Sequence, residues 1–252
     1  MRVLLGMAFV ALLLLAVGCG GAAETASTEP SDVPDAVVTE EPDASTEISA
    51  DTDEPEASGE AEVVIDKAGF AYESEYGELG YGLVLKNTSE MDAVGVQVSI
   101  NFMDKSGTIL VTEDDSLNVI PAGETYYLGG STYAEDGKPK KMEAFIDIES
   151  SEPAQYELPK VSKVRILKDE WMGVSVKGQV KNIFDDDLSS MATITCVIFD
   201  KNGKVVGGGF TFLDADLRSG RTAGFEIVNG PGATPVSQAA SAQASMDNEV
   251  AY

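Results

Sequence analysis

Apolar and polar residues alternate along the chain from residue 61 onward. Val94–Phe102 alternates for nine residues, which is the pattern of a strand with one face in a core. Tyr81, Leu83 and Leu85 repeat it just before, and Val174–Val180 repeats it later. Beyond residue 60 no segment combines a helical stripe of apolar residues with helix caps. The pattern predicts an all-β fold, with Gly, Asn and Asp at the turns.

The same series of landmarks occurs twice. A strand ends at Lys-Asn, the next strand ends at a hairpin of the form Asp-Lys-x-Gly, and a further turn contains Gly. The first copy has Asn87, Asp104–Gly107 and Gly123, and the second has Asn182, Asp200–Gly203 and Gly220. The offsets are 95, 96 and 97 residues, so each intervening loop gains one residue. Three landmarks in register predict two copies of one domain.

These motifs resemble the FxLYD family of immunoglobulin-like β-sandwiches found in prokaryotic surface lipoproteins. The resemblance rests on the Lys-Asn turns and on the hairpins that begin at Phe102-Met103-Asp104 and Ile198-Phe199-Asp200. It implies two tandem immunoglobulin-like β-sandwich domains, 61–150 and 161–246. The link would be Ser151–Pro159 and the tail 247–252. The resemblance implies architecture only, because the family shares no catalytic residues.

Alternation also predicts that both copies close with a strand. Residues 236–246 alternate, and an offset of 97 aligns them with Met142–Ile148. A disordered tail rich in Ala and Ser is the alternative, because both residues have low β-propensity.

The repeat aligns Cys196 with Ile100, an inward position of the longest strand. We therefore expect Cys196 to be a small buried residue, the alternative being a reactive thiol.

The first residues predict an export signal. Met1-Arg2 precedes an apolar run from Val3 to Val17, which is too short for a permanent membrane helix. Its ending, Ala16-Val17-Gly18-Cys19, resembles a bacterial lipoprotein lipobox, which implies cleavage after residue 18 and acylation of Cys19. Several acyl chains hold a protein stably on a membrane. Residues 1–18 are therefore interpreted as a lipoprotein signal peptide, and the mature protein is expected on the extracytoplasmic face of the bacterial cell membrane. An ordinary secretory peptide is the alternative.

Residues 19–60 contain the lipidated Cys19 and an acidic segment. From Gly20 to Glu60 there are thirteen acidic residues, no Lys or Arg, four prolines and no aromatic residue. Such a composition cannot bury enough apolar surface to offset the entropy of ordering, so we expect a disordered tether. A metal-sequestering or partner-binding acidic tract is the alternative.

The composition of the chain excludes several kinds of partner, catalytic site and metal site. With 43 acidic residues against 17 basic ones, the net charge of −26 disfavours nucleic acid as a partner. The absence of histidine excludes His-based triads and His-ligated metals. We interpret Asp185–Asp187, Glu113–Asp115 and Asp214–Asp216 as solvated turns rather than metal sites, and Gly207–Gly209 as a bulge or bend. No cofactor, no metal site and no catalytic residue are predicted.

Basic residues concentrate near the predicted link. The candidate patch for an anionic partner comprises Lys138, Lys140, Lys141, Lys160, Lys163 and Arg165. It would meet the acidic tether of its own chain or an anionic envelope polymer. The alternative is that these residues only protect edge strands from pairing.

The sequence thus predicts a non-enzymatic, membrane-anchored lipoprotein. Its two β-sandwich domains would bind an unknown protein or envelope ligand, or act as a structural spacer. One alternative is an envelope-polymer hydrolase that uses carboxylates. Another is a solute-binding component of a transporter, although such proteins usually have two α/β lobes around a cleft.

Overall fold

The predicted alternation forms long antiparallel strands in the computed structural model, which describes residues 59–169 and 173–249. The signal segment 1–18, Cys19 and the acidic segment up to residue 58 lie outside the described residues. The first six strands are β1 Val63–Tyr72, β2 Glu78–Asn87, β3 Met91–Met103, β4 Ile109–Ile120, β5 Thr125–Tyr133 and β6 Lys141–Pro153. The last six are β7 Lys160–Asp169, β8 Gly173–Lys181, β9 Thr193–Phe199, β10 Val205–Phe212, β11 Thr222–Ile227 and β12 Ser241–Met246.

The all-β prediction is confirmed over the described residues. Their one helical element is a single 3₁₀ turn, Pro231–Ala233. In this part of the chain no helix has the length and apolar character needed to cross a membrane.

The strands form four antiparallel sheets of three strands each. Sheet A has the order β1-β2-β5, sheet B β4-β3-β6, sheet C β11-β8-β7, and sheet D β10-β9-β12. Sheet C repeats sheet A with every strand number raised by six: β1-β2-β5 corresponds to β7-β8-β11. Sheet D repeats sheet B in the same way, since β4-β3-β6 corresponds to β10-β9-β12. The two halves of the described chain therefore share one strand order, as the sequence repeat predicts.

Each half encloses its own apolar core. In the first half Leu83 and Leu85 of β2 pack with Ile100 and Phe102 of β3, and all four are fully buried. In the second half Val176 and Val180 of β8 pack with residues of β9 and β12. Sheets A and B thus face each other across one core, and sheets C and D across another.

Equivalent side chains make equivalent hydrogen bonds in the two halves. The Nδ2 of Asn87 donates to the carbonyl oxygens of Met91 at 2.8 Å and Ile120 at 2.9 Å. The Nδ2 of Asn182 donates to Asp186 at 2.7 Å and Leu217 at 2.8 Å. Both asparagines are fully buried. Each ties the end of one strand to the two segments that follow it, which explains why Asn recurs there.

The two hairpins also match. The Oδ1 of Asp104 accepts the backbone N–H groups of Ser106 and Thr108 at 2.7 and 2.9 Å. The Oδ1 of Asp200 accepts those of Asn202 and Lys204 at 2.8 and 2.9 Å. The glycine of each hairpin has positive φ, 93° at Gly107 and 77° at Gly203, a conformation open mainly to glycine.

Two aspartates, the buried Asp92 and the exposed Asp187, hold connections in place through backbone N–H groups. The Oδ2 of Asp92 accepts the N–H groups of Gln155 and Tyr156 in the link at 2.7 and 2.9 Å, and its Oδ1 accepts that of Ala122 at 2.7 Å. In the second half the Oδ1 of Asp187 accepts the N–H of Ser219 at 2.9 Å. One member of the acidic triplet Asp185–Asp187 therefore holds a turn.

Sheets A and D pack against each other through glycines. A Cβ added to Gly80 of β2 would lie 2.1 Å from the carbonyl oxygen of Gly230, and one added to Gly129 of β5 would lie 2.0 Å from that of Cys196. Only residues without a Cβ allow backbones to approach this closely. Sheet A is therefore covered on both faces, and the sheets stack in the order B, A, D, C. We call the contact between sheets A and D the glycine seam.

Side chains reinforce the glycine seam. Val84 packs with Val197, Phe199 and Val205 in a separate apolar cluster. Tyr127 of the edge strand β5 uses both of its backbone groups: its N–H donates to the Oγ of Ser245 at 3.0 Å, and its carbonyl accepts the Oγ1–H of Thr195. The unpaired edge of β5 is thus covered by the second half of the chain.

Two boundaries differ from the sequence predictions. Strand β6 continues to Pro153, so the segment between the halves is shorter than Ser151–Pro159. The closing strand β12 begins at Ser241, and Ala244 lies opposite Cys196 as Ala144 lies opposite Ile100. The offset at this strand is therefore 100, and the predicted 97 is wrong. The difference arises because a 3₁₀ turn and further turns precede β12 and carry no strand periodicity.

Candidate functional site

A cavity of about 290 Å³ lies at one end of the glycine seam. There the neighbouring edges β4 and β5 of the first half meet β9, β10 and the residues after β12. The polar and aromatic residues of its lining are Tyr81, Glu113, Asp115, Ser116, Tyr126, Ser131, Thr193, Thr195, Phe210, Phe212 and Asp247. Because both halves contribute, neither repeat alone builds this site. We call it the seam cavity.

One wall of the seam cavity is a tyrosine–carboxylate pair. The hydroxyl of Tyr81, on β2, donates to the Oδ2 of Asp115, on β4, at 2.8 Å. Burial, followed by the charge of Asp115, raises the pKa of Tyr81 well above its usual range, so the phenol stays protonated and remains a donor. Burial also raises the pKa of Asp115, although the hydrogen bond from Tyr81 opposes the shift.

Glu113 lies two residues earlier on the same face of β4. Its Oε1 accepts the hydroxyl of Thr132 at 2.6 Å, and its negative charge contributes to the raised pKa of Asp115. The interpretation of Glu113–Asp115 as a solvated turn is wrong. The segment lies inside β4, where Glu113 and Asp115 share the inward parity of Leu117 and Asp114 is exposed.

Asp247 closes the cavity from the second half. Its side chain is 8% exposed, its Oδ2 accepts the N–H of Asn118 at 3.2 Å, and its Oδ1 accepts that of Asn248 at 2.8 Å. Burial raises its pKa against these two hydrogen bonds. Asp247, the first residue of the predicted tail 247–252, therefore takes part in the contact between the halves.

Tyr126 provides an unpaired hydroxyl. The residue is fully buried on β5, and its OH has no hydrogen-bond partner among the described residues. The side chain of Thr195 is near enough to oppose the rise in the pKa of Tyr126, but its hydroxyl donates to the carbonyl of Tyr127, and the two hydroxyls do not meet hydrogen-bond geometry. Burial, followed by the charge of Asp247, raises the pKa of Tyr126 well above its usual value, and Asp115 adds to the shift. The hydroxyl thus lies within electrostatic reach of both carboxylates.

All the charged side chains that line the seam cavity are acidic. Its lining includes three carboxylates and no Lys or Arg. Phe210 and Phe212 stand edge to face with centroids 5.7 Å apart, and Phe212 is 45% exposed at the mouth. Carboxylate oxygens and aromatic faces both attract cations. Across the described ranges, however, no group of three acidic or cysteine side chains is arranged to hold a metal ion.

The structure does not bring the two predicted basic runs together. Lys141 is the first residue of β6, and the link follows the other end of this 13-residue strand. At about 3.3 Å per residue, the two ends are about 40 Å apart. Lys138 instead lies with its Nζ 5.9 Å from the ring centre of Tyr72, and the N–H of Lys140 donates to Met103 at 2.7 Å. Lys160 lines a different groove, beside Pro121 and Glu124.

Lys163 and Arg165 do meet, in an open groove of about 790 Å³ on the second half. A bulge between Ser162 and Arg165 interrupts the pairing of β7, and Lys163 has a φ of 53°, unusual for a residue with a side chain. Lys177 adds a third basic group, but its Nζ is 2.9 Å from the Oε2 of Glu226, so part of this charge is neutralised.

The remaining candidate residues have structural roles. Cys196 is fully buried in the second core, and burial raises the pKa of its thiol, which confirms the expectation of a small core residue. Gly207–Gly209 lies next to a register shift in β10, which confirms the predicted bulge. Asp216 accepts the N–H of Ser190 at 2.8 Å. Cys19 lies outside the described residues.

Sequence reasoning missed the seam cavity, although one signal was present. Glu113 and Asp115 have the parity of the core residue Leu117, and charged residues at inward strand positions are unusual. The alternation of Tyr126 with Leu128 indicates only that Tyr126 points into the core, and its unpaired hydroxyl is visible only in three dimensions.

Searches against protein-family models and curated proteins found no match.

Proposed function

We propose that this protein is a membrane-anchored extracytoplasmic lipoprotein without enzymatic activity. It carries two tandem immunoglobulin-like β-sandwich domains of the FxLYD type, 61–150 and 161–246, which bind an envelope or protein partner or act as a structural spacer. The anchor would be acyl chains on Cys19, and residues 20–60 would be the tether.

The observation that carries this proposal is the glycine seam between two halves of equal strand order. Backbone contacts at Gly80 and Gly129 leave little room for the halves to move independently. A rigid surface loses little conformational entropy when it binds, so such a body suits the presentation of a binding surface. It also suits a spacer, because the shape is fixed by the fold.

The position of the chain entry supports presentation away from the membrane. The N–H of Ala61 donates to the Oγ of Ser151 at 2.8 Å, beside the start of β1. The 10-residue strand β1 then leads to the opposite end of the first half, about 30 Å away. That end exposes Tyr76 by 74% and Tyr133 by 60%. Exposed tyrosines are common in protein interfaces, so this end is our candidate partner surface.

The candidate anionic-partner patch is retained in a revised form. Lys163 and Arg165 form one basic surface, and Lys138, Lys140 and Lys141 lie at the start of β6, at the opposite end of this strand from the link. Replacing Lys163 and Arg165 with Gln is expected to weaken binding to anionic envelope fractions at low salt, with a smaller effect at high salt. The second variant replaces Lys138, Lys140 and Lys141 with Gln. Unchanged binding by both variants would mean that these basic residues only protect edge strands from pairing.

The seam cavity favours a second candidate function, a hydrolase acting on envelope polymers through Glu113 and Asp115. The raised pKa of the Asp115 carboxyl is typical of a general acid. Incubation of the protein with purified envelope polymer, with Asp115→Asn as the comparison, tests it. Release of soluble fragments by the parent alone would replace the non-enzymatic proposal.

The anchor is tested by replacing Cys19 with Ser and fractionating the cells. The expected result is that the variant leaves the membrane fraction and becomes soluble, because the acyl chains are lost. Cys196→Ala is the matched control, since it changes the other cysteine of the chain and should leave the protein on the membrane. Retention of the Cys19→Ser variant on the membrane, after confirmed removal of the signal segment, would contradict the proposal.

A further inference from the structure

We infer that the seam cavity is a binding site for a small organic cation with a primary ammonium group. This inference goes beyond the proposed function and does not depend on the membrane anchor. It rests on the unpaired hydroxyl of Tyr126, on the carboxylates around it and on the aromatic mouth.

The first observation is the unpaired hydroxyl. The OH of Tyr126 is buried without a hydrogen-bond partner in the described part of the chain, and buried polar atoms in native proteins are usually satisfied. It lines the seam cavity together with Asp115 and Asp247. A cationic donor bound in the cavity would face the phenol oxygen and both carboxylates.

The second observation is that acceptor capacity remains on both aspartates. Asp115 uses Oδ2 for the hydroxyl of Tyr81, which leaves its Oδ1 without a hydrogen bond among the described residues. Each oxygen of Asp247 accepts one backbone N–H, whereas a carboxylate oxygen has two lone pairs. An ammonium group has three N–H donors, which matches in number the three acceptor groups that Asp115, Asp247 and Tyr126 offer in the cavity lining.

The third observation concerns the type of cation. The described acidic side chains are not grouped for a metal ion, whereas Phe210 and Phe212 add an aromatic face at the mouth. Aromatic faces attract organic cations and pack with their alkyl parts. The volume of about 290 Å³ corresponds to about ten water-sized groups. This is enough for an ammonium group on a short aliphatic chain.

Isothermal titration calorimetry of the full-length protein in an uncharged maltoside detergent tests the inference. The probe is n-butylammonium chloride, and the comparison ligands are 1-butanol, which lacks the charge, and calcium chloride. We expect saturable binding of butylammonium, at least about tenfold weaker binding of butanol, and no saturable binding of calcium at this site.

Four variants locate the binding. Asp115→Asn and Asp247→Asn should each weaken butylammonium binding about tenfold or more, because each removes a charged acceptor. Tyr126→Phe keeps the ring and should weaken it several-fold. Asp114→Asn is the matched control: it lies on the exposed face of the same strand and should bind like the parent.

Circular dichroism of each variant confirms that it is folded before titration. Absence of saturable butylammonium binding by the folded parent would overturn the inference, and the Tyr126 hydroxyl would then be satisfied by water alone. Equal loss of binding in Asp114→Asn and Asp115→Asn would overturn it as well, because it would indicate attraction to the acidic surface in general. Saturable calcium binding abolished by Asp115→Asn would replace the organic cation with a metal.

Discussion

The buried asparagines provide a matched perturbation of the two halves. Asn87→Ala removes hydrogen bonds of 2.8 and 2.9 Å to the carbonyls of Met91 and Ile120, and Asn182→Ala removes their counterparts of 2.7 and 2.8 Å. If the repeat is structural, the two substitutions should lower the free energy of unfolding by similar amounts.

The magnitude follows from the partners that remain. The two bonds from each Nδ2 contribute about 1 kcal/mol each. The donors to Oδ1, which are the N–H and hydroxyl of Ser89 in one half and the N–H of Phe184 in the other, are only partly buried, so water can replace their lost partner. Some of the carbonyl groups that lose the asparagine donor keep another one. The carbonyl of Leu217 also accepts the N–H of Leu188 at 2.9 Å, and the carbonyl of Met91 also accepts the Ser89 hydroxyl at 3.0 Å. The expected loss is therefore about 2 kcal/mol per variant, with a difference between the two below about 1 kcal/mol.

Urea unfolding followed by circular dichroism measures both losses. Asn202→Ala is the control, because this asparagine is exposed in the second hairpin, and we expect a change below about 0.5 kcal/mol. A loss of about 2 kcal/mol for Asn87→Ala with none for Asn182→Ala would refute the equivalence of the two positions.

Three further outcomes are expected. The Cys196 thiol should react with a thiol reagent only after unfolding, because it is fully buried and burial raises its pKa; rapid reaction of the native protein would contradict this. Asp115 has a raised pKa in the folded state. The free energy of unfolding should therefore fall as the pH rises from the pKa of Asp115 in the unfolded chain through its pKa in the folded protein. Asp115→Asn should flatten that decline between acidic and neutral pH in thermal unfolding, and an unchanged slope would count against the assignment. Gly107→Ala and Gly203→Ala should each lower stability by about 1 to 2 kcal/mol, because both glycines have positive φ, and equal urea midpoints with the parent would contradict this.

The strands and the repeat could be predicted because both leave a signal in the sequence. Alternation at Val94–Phe102 reports a strand with one buried face, and it lies within β3. Asn87 and Asn182 could be matched because a buried turn asparagine is hard to replace. The hairpin glycines could be matched for a similar reason, since positive φ excludes most other residues.

The glycine seam could not be predicted by the same means. Glycine carries no hydropathy signal, so Gly80, Gly82 and Gly129 look like neutral positions between large core residues. Their importance comes from the backbone of the second half, which lies within reach of a Cβ at each of them. Asp247 was placed in a tail because its burial depends on Asn118, which is far away in the sequence.

Differential scanning calorimetry of the full-length protein tests the central claim that the two halves form one unit through the glycine seam. The comparison is Gly129→Val, which would place a Cβ 2.0 Å from the carbonyl oxygen of Cys196, with Gly224→Val as control, because a Cβ at that exposed glycine would meet nothing closer than 3.9 Å. The account predicts one cooperative transition for the parent and for Gly224→Val, and two separate transitions at lower temperature for Gly129→Val. Two independent transitions in the parent, unchanged by Gly129→Val, would contradict it.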